Sequence, residues 1–264
     1  MKLGKLLWIT MVWLLLLGLL AGCGGSGDDA SAGGGDGGGG SSEEIASPVD
    51  PATAATISGK VLFSGAAPEP EPISMEAEST CQEQYPDGAF TETVLANDNG
   101  TLKNVFVYVK EGLGDLQFPV PQEPIVLDQK GCRYIPHVFG VQVDQELIIR
   151  NSDGILHNIH PVPTTNRPFN VGQPVAMDTS RKFSQVETFI PIECDVHDWM
   201  IGYVSVLDHP YFATTGDDGS FELPNLPPGD YVIEAWHELY GTQMMNVTVG
   251  DSESASIEFT FEGG

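Results

Sequence analysis

From Val186 to Cys194 the chain alternates, with Val186, Thr188, Ile190, Ile192 and Cys194 on one face and Glu187 and Glu193 on the other. A period of two predicts a half-buried strand whose even positions face the core, so Cys194 points inward at its end. After a short loop, Met200, Gly202, Val204 and Val206 alternate with Tyr203 and Ser205, which also directs Met200 inward. The same reasoning predicts strands over Thr56–Phe63, Lys103–Lys110, Glu123–Asp128, His137–Val143, Glu146–Arg150, Gly219–Leu223, Asp230–His237, Met244–Val249 and Ala255–Phe261. Almost nothing carries a helical period. Gly, Pro and Asp-Gly turns punctuate the chain at the short spacing of an all-β sandwich.

The loop between the two central strands carries the chemistry: Cys194-Asp-Val-His197-Asp-Trp-Met200. A second histidine, His157, follows the turn-like Asn151-Ser-Asp-Gly154. One thiolate, two imidazoles and a thioether form the donor set of a type 1 (blue) copper site, with the Met as a weak axial ligand. Zinc also accepts one thiolate and two imidazoles, but the thioether favours the softer copper ion.

Residues 123–208 resemble a cupredoxin, and within that family an amicyanin, on two motifs. These are His157-Asn158-Ile159-His160 and the short Cys194, His197, Met200 loop. The resemblance implies a Greek-key sandwich with a single copper held by His157, Cys194, His197 and Met200. Asn158 would steady the ligand loop, and electrons would pass through His197 on an exposed loop. It covers about a third of the chain and departs from the family in a Pro-containing insertion after His160. Trp199, inside the loop, reads either as an apolar docking patch for a partner or as a cap on the core.

The flanks resemble a carboxypeptidase-regulatory-like (transthyretin-like) sandwich. Its first half, 56–122, carries Ile57-Ser-Gly-Lys-Val-Leu-Phe63 and Asn104-Val-Phe-Val-Tyr-Val109. Its second half, 209–264, carries Thr214-Thr-Gly-Asp-Asp-Gly-Ser-Phe221 and Leu226-Pro-Pro-Gly-Asp-Tyr-Val232. The cupredoxin segment is then inserted into one split sandwich, with two tandem domains as the alternative.

At the start of the chain, Lys2 and Lys5 precede an apolar run that ends Leu20-Ala-Gly-Cys23. Residues 1–22 resemble a bacterial lipoprotein signal peptide, with Cys23 lipidated; a short membrane anchor is the alternative. Residues 23–55 are rich in Gly, Ser and Asp and are expected to be a disordered tether with a reach of ~30 Å. The expected location is therefore outside the cytoplasm, held to a membrane (the outer one in a Gram-negative cell) by lipid alone.

Four cysteines are present. With Cys23 lipidated and Cys194 a ligand, Cys81 and Cys132 are left free to pair as a disulfide, which such a compartment permits. A second metal site from Cys132, His137 and His209 or His237 is the less economical reading. His160, His209 and His237 are expected at loops or strand edges.

The chain holds 37 acidic and 11 basic residues, a net charge of −26. Such a surface repels phosphate and excludes nucleic acid as a partner. The acids are spread along the chain, as in a solvated coat for a saline habitat. They would also steer a basic redox partner such as a cytochrome or dehydrogenase. No catalytic residues stand out, and six histidines leave little room for the second copper site that nitrite reductase or oxidase chemistry needs. The expected function is single-electron carriage. Copper trapping or delivery, and a surface module binding carbohydrate or protein around a structural metal, are the alternatives.

Overall fold

A computed structural model describes residues 46–264. Cys23, the expected signal peptide and most of the expected tether lie outside the described residues. Within them the fold is all-β; the one α-helix is the single turn Ser79–Gln82.

The central sandwich pairs two sheets. One has the order Val171–Gln173, His157–Pro161, Glu187–Glu193, Ile201–Leu207 and Val138–Gln142. The other runs Met177–Arg181, Leu147–Asn151, Ile125–Gln129 and Tyr134–Ile135. Leu127, Val141, Leu147, Ile149, Ile159 and Val204 are wholly buried between them.

A second sandwich uses the flanks. Its three-stranded sheet is Ser220–Leu226, Ala55–Ser64 and Ser254–Glu262, and its four-stranded sheet is Phe212–Thr214, Phe106–Glu111, Gly229–His237 and Gly241–Val249. Ala55–Ser64 runs parallel to Ser254–Glu262 in unbroken register from Thr56 opposite Ser254 to Ser64 opposite Glu262. Strands from before and after the central segment thus share both sheets and one core, which includes Ile57, Val107, Leu223, Ile233 and Phe259. Parallel partners cannot be joined by a hairpin, so the long central excursion between them is compatible with the topology.

The two sandwiches meet along an aromatic seam. Phe106, Tyr108, Val138 and Leu207 are buried there, with Phe189, Tyr203, Phe212 and Trp236 packed around them. Phe189 stacks on Trp236 with ring centroids 4.4 Å apart and planes 10° apart. A Cβ at Gly140 would lie 2.5 Å from the Phe212 ring, so only glycine lets the sheets approach this closely. Inside the seam, the buried Glu234 carboxylate accepts the Tyr108 hydroxyl at 2.9 Å and pairs with Lys110.

This seam corrects the two-face reading of the central strands. Ser205, read as facing away from the core, is buried, and its hydroxyl oxygen accepts the Phe189 N–H at 3.1 Å. Phe189 has φ of 59°, and the register with the Ile201–Leu207 strand shifts between Glu187 and Ile190. That bulge breaks the alternation upstream of Ile190, which leaves Val186 46% exposed while Ile190 and Ile192 stay in the core.

Not all of 56–122 serves the second sandwich. A small cap is built from the Pro72–Ile73 and Ala89–Phe90 ribbon and the Ser79–Gln82 turn. It packs Met75, Cys81 and Ala89 against Cys132, with Trp199 alongside. Arg133 fastens it, donating to the Tyr85 hydroxyl (3.0 Å), the Glu92 carboxylate (3.0 Å) and the Phe90 carbonyl (2.6 Å).

Phe106 is fully buried at the seam. Phe106→Ala is expected to cost about 3–5 kcal/mol in urea unfolding. A loss below about 1 kcal/mol would mean that the seam does not hold the sandwiches together.

Candidate metal centre

The centre lies where three segments of the central sandwich end together. Cys194 follows directly on the Glu187–Glu193 strand, and His157 opens the neighbouring His157–Pro161 strand. The intervening loop closes on itself, since Cys194 N–H donates to the Met200 carbonyl (3.2 Å) and Met200 N–H to that of His197 (3.0 Å). That closure swings His197 back over Cys194. The ligand atoms of His157, Cys194 and His197 all lie within 4.8 Å of one another. His157 Nδ1 is 3.0 Å from His197 Nδ1, which in turn is 3.7 Å from Cys194 Sγ. All three side chains are buried, and Met200 is buried in the same core cluster as Cys194.

Upstream, the predicted turn is an Asx turn. Asn151 Oδ1 accepts the N–H groups of Asp153 and Gly154 at 3.1 Å each, and Gly154 takes φ of 72°, a conformation that favours glycine. The turn aims Asp153 at His157. Asp153 Oδ2 is 3.0 Å from His157 Nε2, and the carboxylate also accepts the N–H groups of Gly131 and Cys132 at 2.7 Å each. A proton held on Nε2 leaves Nδ1 free to face Cys194 and His197, which is how carboxylates orient metal-binding histidines.

Charge follows from these contacts. Burial alone would raise the Asp153 pKa, but the hydrogen bonds from His157, Cys132 and Gly131 prevail and hold it below the ordinary carboxylate value. Burial likewise disfavours the His157 cation. The Asp153 hydrogen bond and the neighbouring Cys194 outweigh it and raise the imidazole to about 9. For Cys194, burial opposes ionisation, while hydrogen bonds from both imidazoles and from backbone N–H groups bring the thiol down to about 5. The two shifts together favour an imidazolium beside a thiolate, and a soft cation bound here would take the place of the proton.

Asn158 sits behind Cys194. Its Oδ1 accepts the Asp195 N–H at 2.7 Å and lies 3.3 Å from Cys194 Sγ, while its Nδ2 donates to Asn170 and Asp195. His160 points away, with Nδ1 3.0 Å from the Asp195 carboxylate, and takes no part in the cluster. The Tyr134 hydroxyl, raised in pKa by burial and by the nearby Cys194, joins the carbonyls of Asn158 and Glu193 across the two ligand strands. Asp153 and Tyr134 were missed in the sequence. A carboxylate four residues before a ligand histidine was the available signal for Asp153; Tyr134 left none.

The structure corrects the expected exposure of His197 and favours a cap on the core among the two readings of Trp199. The loop is exposed at Asp195, Val196 and Asp198, but His197 itself is 2% exposed, lying beneath Trp199 (ring centroids 5.0 Å apart) and the cap. Trp199 turns inward and donates its indole N–H to the Cys132 carbonyl at 3.2 Å, so it is a cover for His197 rather than an outward patch. Cys81 and Cys132 are joined as a disulfide, with Cα atoms 5.7 Å apart. Cys132 is therefore not free to join His137, which pairs with Glu238 at 2.6 Å, or the separately buried His209 and His237.

One thiol and two imidazoles brought this close form a donor set that suits copper. No family model matches the chain, and no curated protein does. Among solved structures, the chain resembles a Cu-containing nitrite reductase from Thermus scotoductus SA-01 at 16% identity and a TM-score of 0.31. That likeness covers 35% of this chain and 24% of the reductase, so the chain spans about a quarter of its length. An oxidised proline-to-glycine variant of amicyanin is 20% identical over 38% of this chain and 97% of its own, with a TM-score of 0.29. A reduced Cu(I) form of another amicyanin variant, at pH 4, is 22% identical over the same shares, with a TM-score of 0.28. Fold and site together define an all-β protein with a buried Cys-His-His cluster at the end of its central sandwich.

In the metal-free protein, the thiolate ultraviolet absorbance lost in Cys194→Ser is expected to titrate with a midpoint near pH 5. A midpoint in the ordinary thiol range would refute the imidazolium–thiolate pair. Asn158→Ala removes the acceptor from Asp195 N–H and is expected to weaken copper retention about 10–100-fold in competition with a chelator.

Proposed function

We propose that this protein carries single electrons on one type 1 copper. The observation behind this reading is the convergence of the ligand atoms of His157, Cys194 and His197 within 4.8 Å of one another, with Met200 buried in the same core cluster as Cys194. Copper, when bound, supplies a one-electron couple. The chain supplies the rest: Asp153 fixes which nitrogen of His157 faces inward, and the closed 194–200 loop holds Cys194 and His197 at a set separation. Asn158 ties that loop to the His157 strand. Ligands held this firmly on two strands and a short loop move little between charge states, which favours fast electron exchange.

Exclusion of water completes the arrangement. All three side chains are buried, His197 beneath Trp199 and the cap, which favours a carrier over a site that must admit a substrate. On this reading the protein performs no catalysis of its own. Cys23 carries the lipid, the tether keeps the head near the membrane outside the cytoplasm, and the acidic surface attracts a basic redox partner such as a cytochrome. The disulfide suits such an oxidising compartment.

Titration with Cu(II) is expected to produce an intense visible band that saturates at about one equivalent. The band should bleach reversibly with a reductant and be absent from Cys194→Ser. Weak absorption indifferent to Cys194 would overturn the reading and favour a structural metal instead.

A further inference from the structure

The Cys81–Cys132 disulfide is set against the metal centre, at the outer edges of both ligand histidines. Cys81 Sγ lies 4.0 Å from His197 Nε2, the nitrogen turned away from Cys194. The ligand atoms of Cys132, Asp153 and His157 lie within 4.8 Å of one another, a second cluster that shares His157 with the first. Each imidazole therefore has its Nδ1 toward Cys194 and its Nε2 edge toward a disulfide cysteine or its carboxylate neighbour. A staple for the cap needs no such contact, since Arg133 already fastens the cap through three hydrogen bonds.

We infer that, once reduced, Cys81 and Cys132 form a second metal site for a soft monovalent cation, Cu(I), held by the two thiolates, with Asp153 and the protonated Nε2 edges of His157 and His197 beside it as hydrogen-bonding neighbours and not as ligands. The inference rests on the one-copper reading for its first site. A dithiol supplies two electrons and two protons: the S–S bond breaks, two thiols form, and the dithiol closes to its own disulfide. Both thiol protons leave when Cu(I) binds, because the thiolate is the ligand. Two adjacent thiolates are the donors Cu(I) prefers. The disulfide is buried, so a reductant must reach it by local opening. The cap is suited to that, with one helical turn and a pair of two-residue strands as its only regular structure. The protein then holds one copper for electron transfer when oxidised, and two as Cu(I) when reduced.

The test counts Cu(I) retained by the full chain against a chromophoric Cu(I) chelator, with Cys23→Ser in every arm. Oxidised protein is compared with protein reduced by a phosphine and freed of it without air. One equivalent before reduction and two after it supports the inference, as does a return to one on reoxidation. A change from none to one in Cys194→Ser also supports it. One equivalent in both states overturns the second site and leaves the electron carrier standing. If the oxidised protein retains none, the electron-carrier reading fails, while a gain of one on reduction still upholds the second site. Cys81→Ser/Cys132→Ser is expected to hold one equivalent in either state. The comparison of oxidised and reduced chains decides the matter even if that variant does not fold.

Discussion

Asp153 has a carboxylate only 4% exposed, and it can remain charged there because the N–H groups of Gly131, Cys132 and His157 all point at it. A buried carboxylate without such partners would be forced to take up a proton. The same three bonds organise everything around the centre. One sets the tautomer of His157 and so turns Nδ1 toward Cys194. The other two hold the 131–132 backbone, which carries the disulfide and through it the cap. The Asx turn at Asn151 is what brings the carboxylate to this point.

Burial at the centre has an electrostatic consequence. The whole chain is strongly acidic, yet the space around Cys194 collects hydrogen-bond donors: two imidazoles and backbone N–H groups. A thiolate is stabilised inside a protein whose surface repels anions. The separation persists because the surface charges are solvated and screened over about 10 Å, whereas the buried contacts are short and dry. The cap and Trp199 maintain that dryness over His197.

The second sandwich reaches the centre through the same strands that carry the ligands. Glu187–Glu193 and Ile201–Leu207 bury one face in the central core and turn Phe189, Tyr203 and Ser205 into the seam. Strands covered on both faces have little freedom to slide, since a slip of one residue would exchange the two buried sets. The ligand loop is thereby mounted on a base clamped from both sides.

Local pattern determined a good deal of this. Strand signals in the sequence, alternation among them, located many of the strands to within a residue or three. The Cys194-to-Met200 spacing and His157 pointed to a ligand set because few other demands select a thiol, an imidazole and a thioether so close together. Cysteine parity left Cys81 and Cys132 to pair. What local pattern could not supply were contacts between residues far apart in the chain. Only the tertiary structure set Asp153 against both His157 and the Cys132 amide, bent the Glu187–Glu193 strand at Phe189 to meet Trp236, and folded residues 72–92 over His197. Each of those depends on which surfaces meet after the strands have formed, and alternation along one segment carries no record of what will cover its far face.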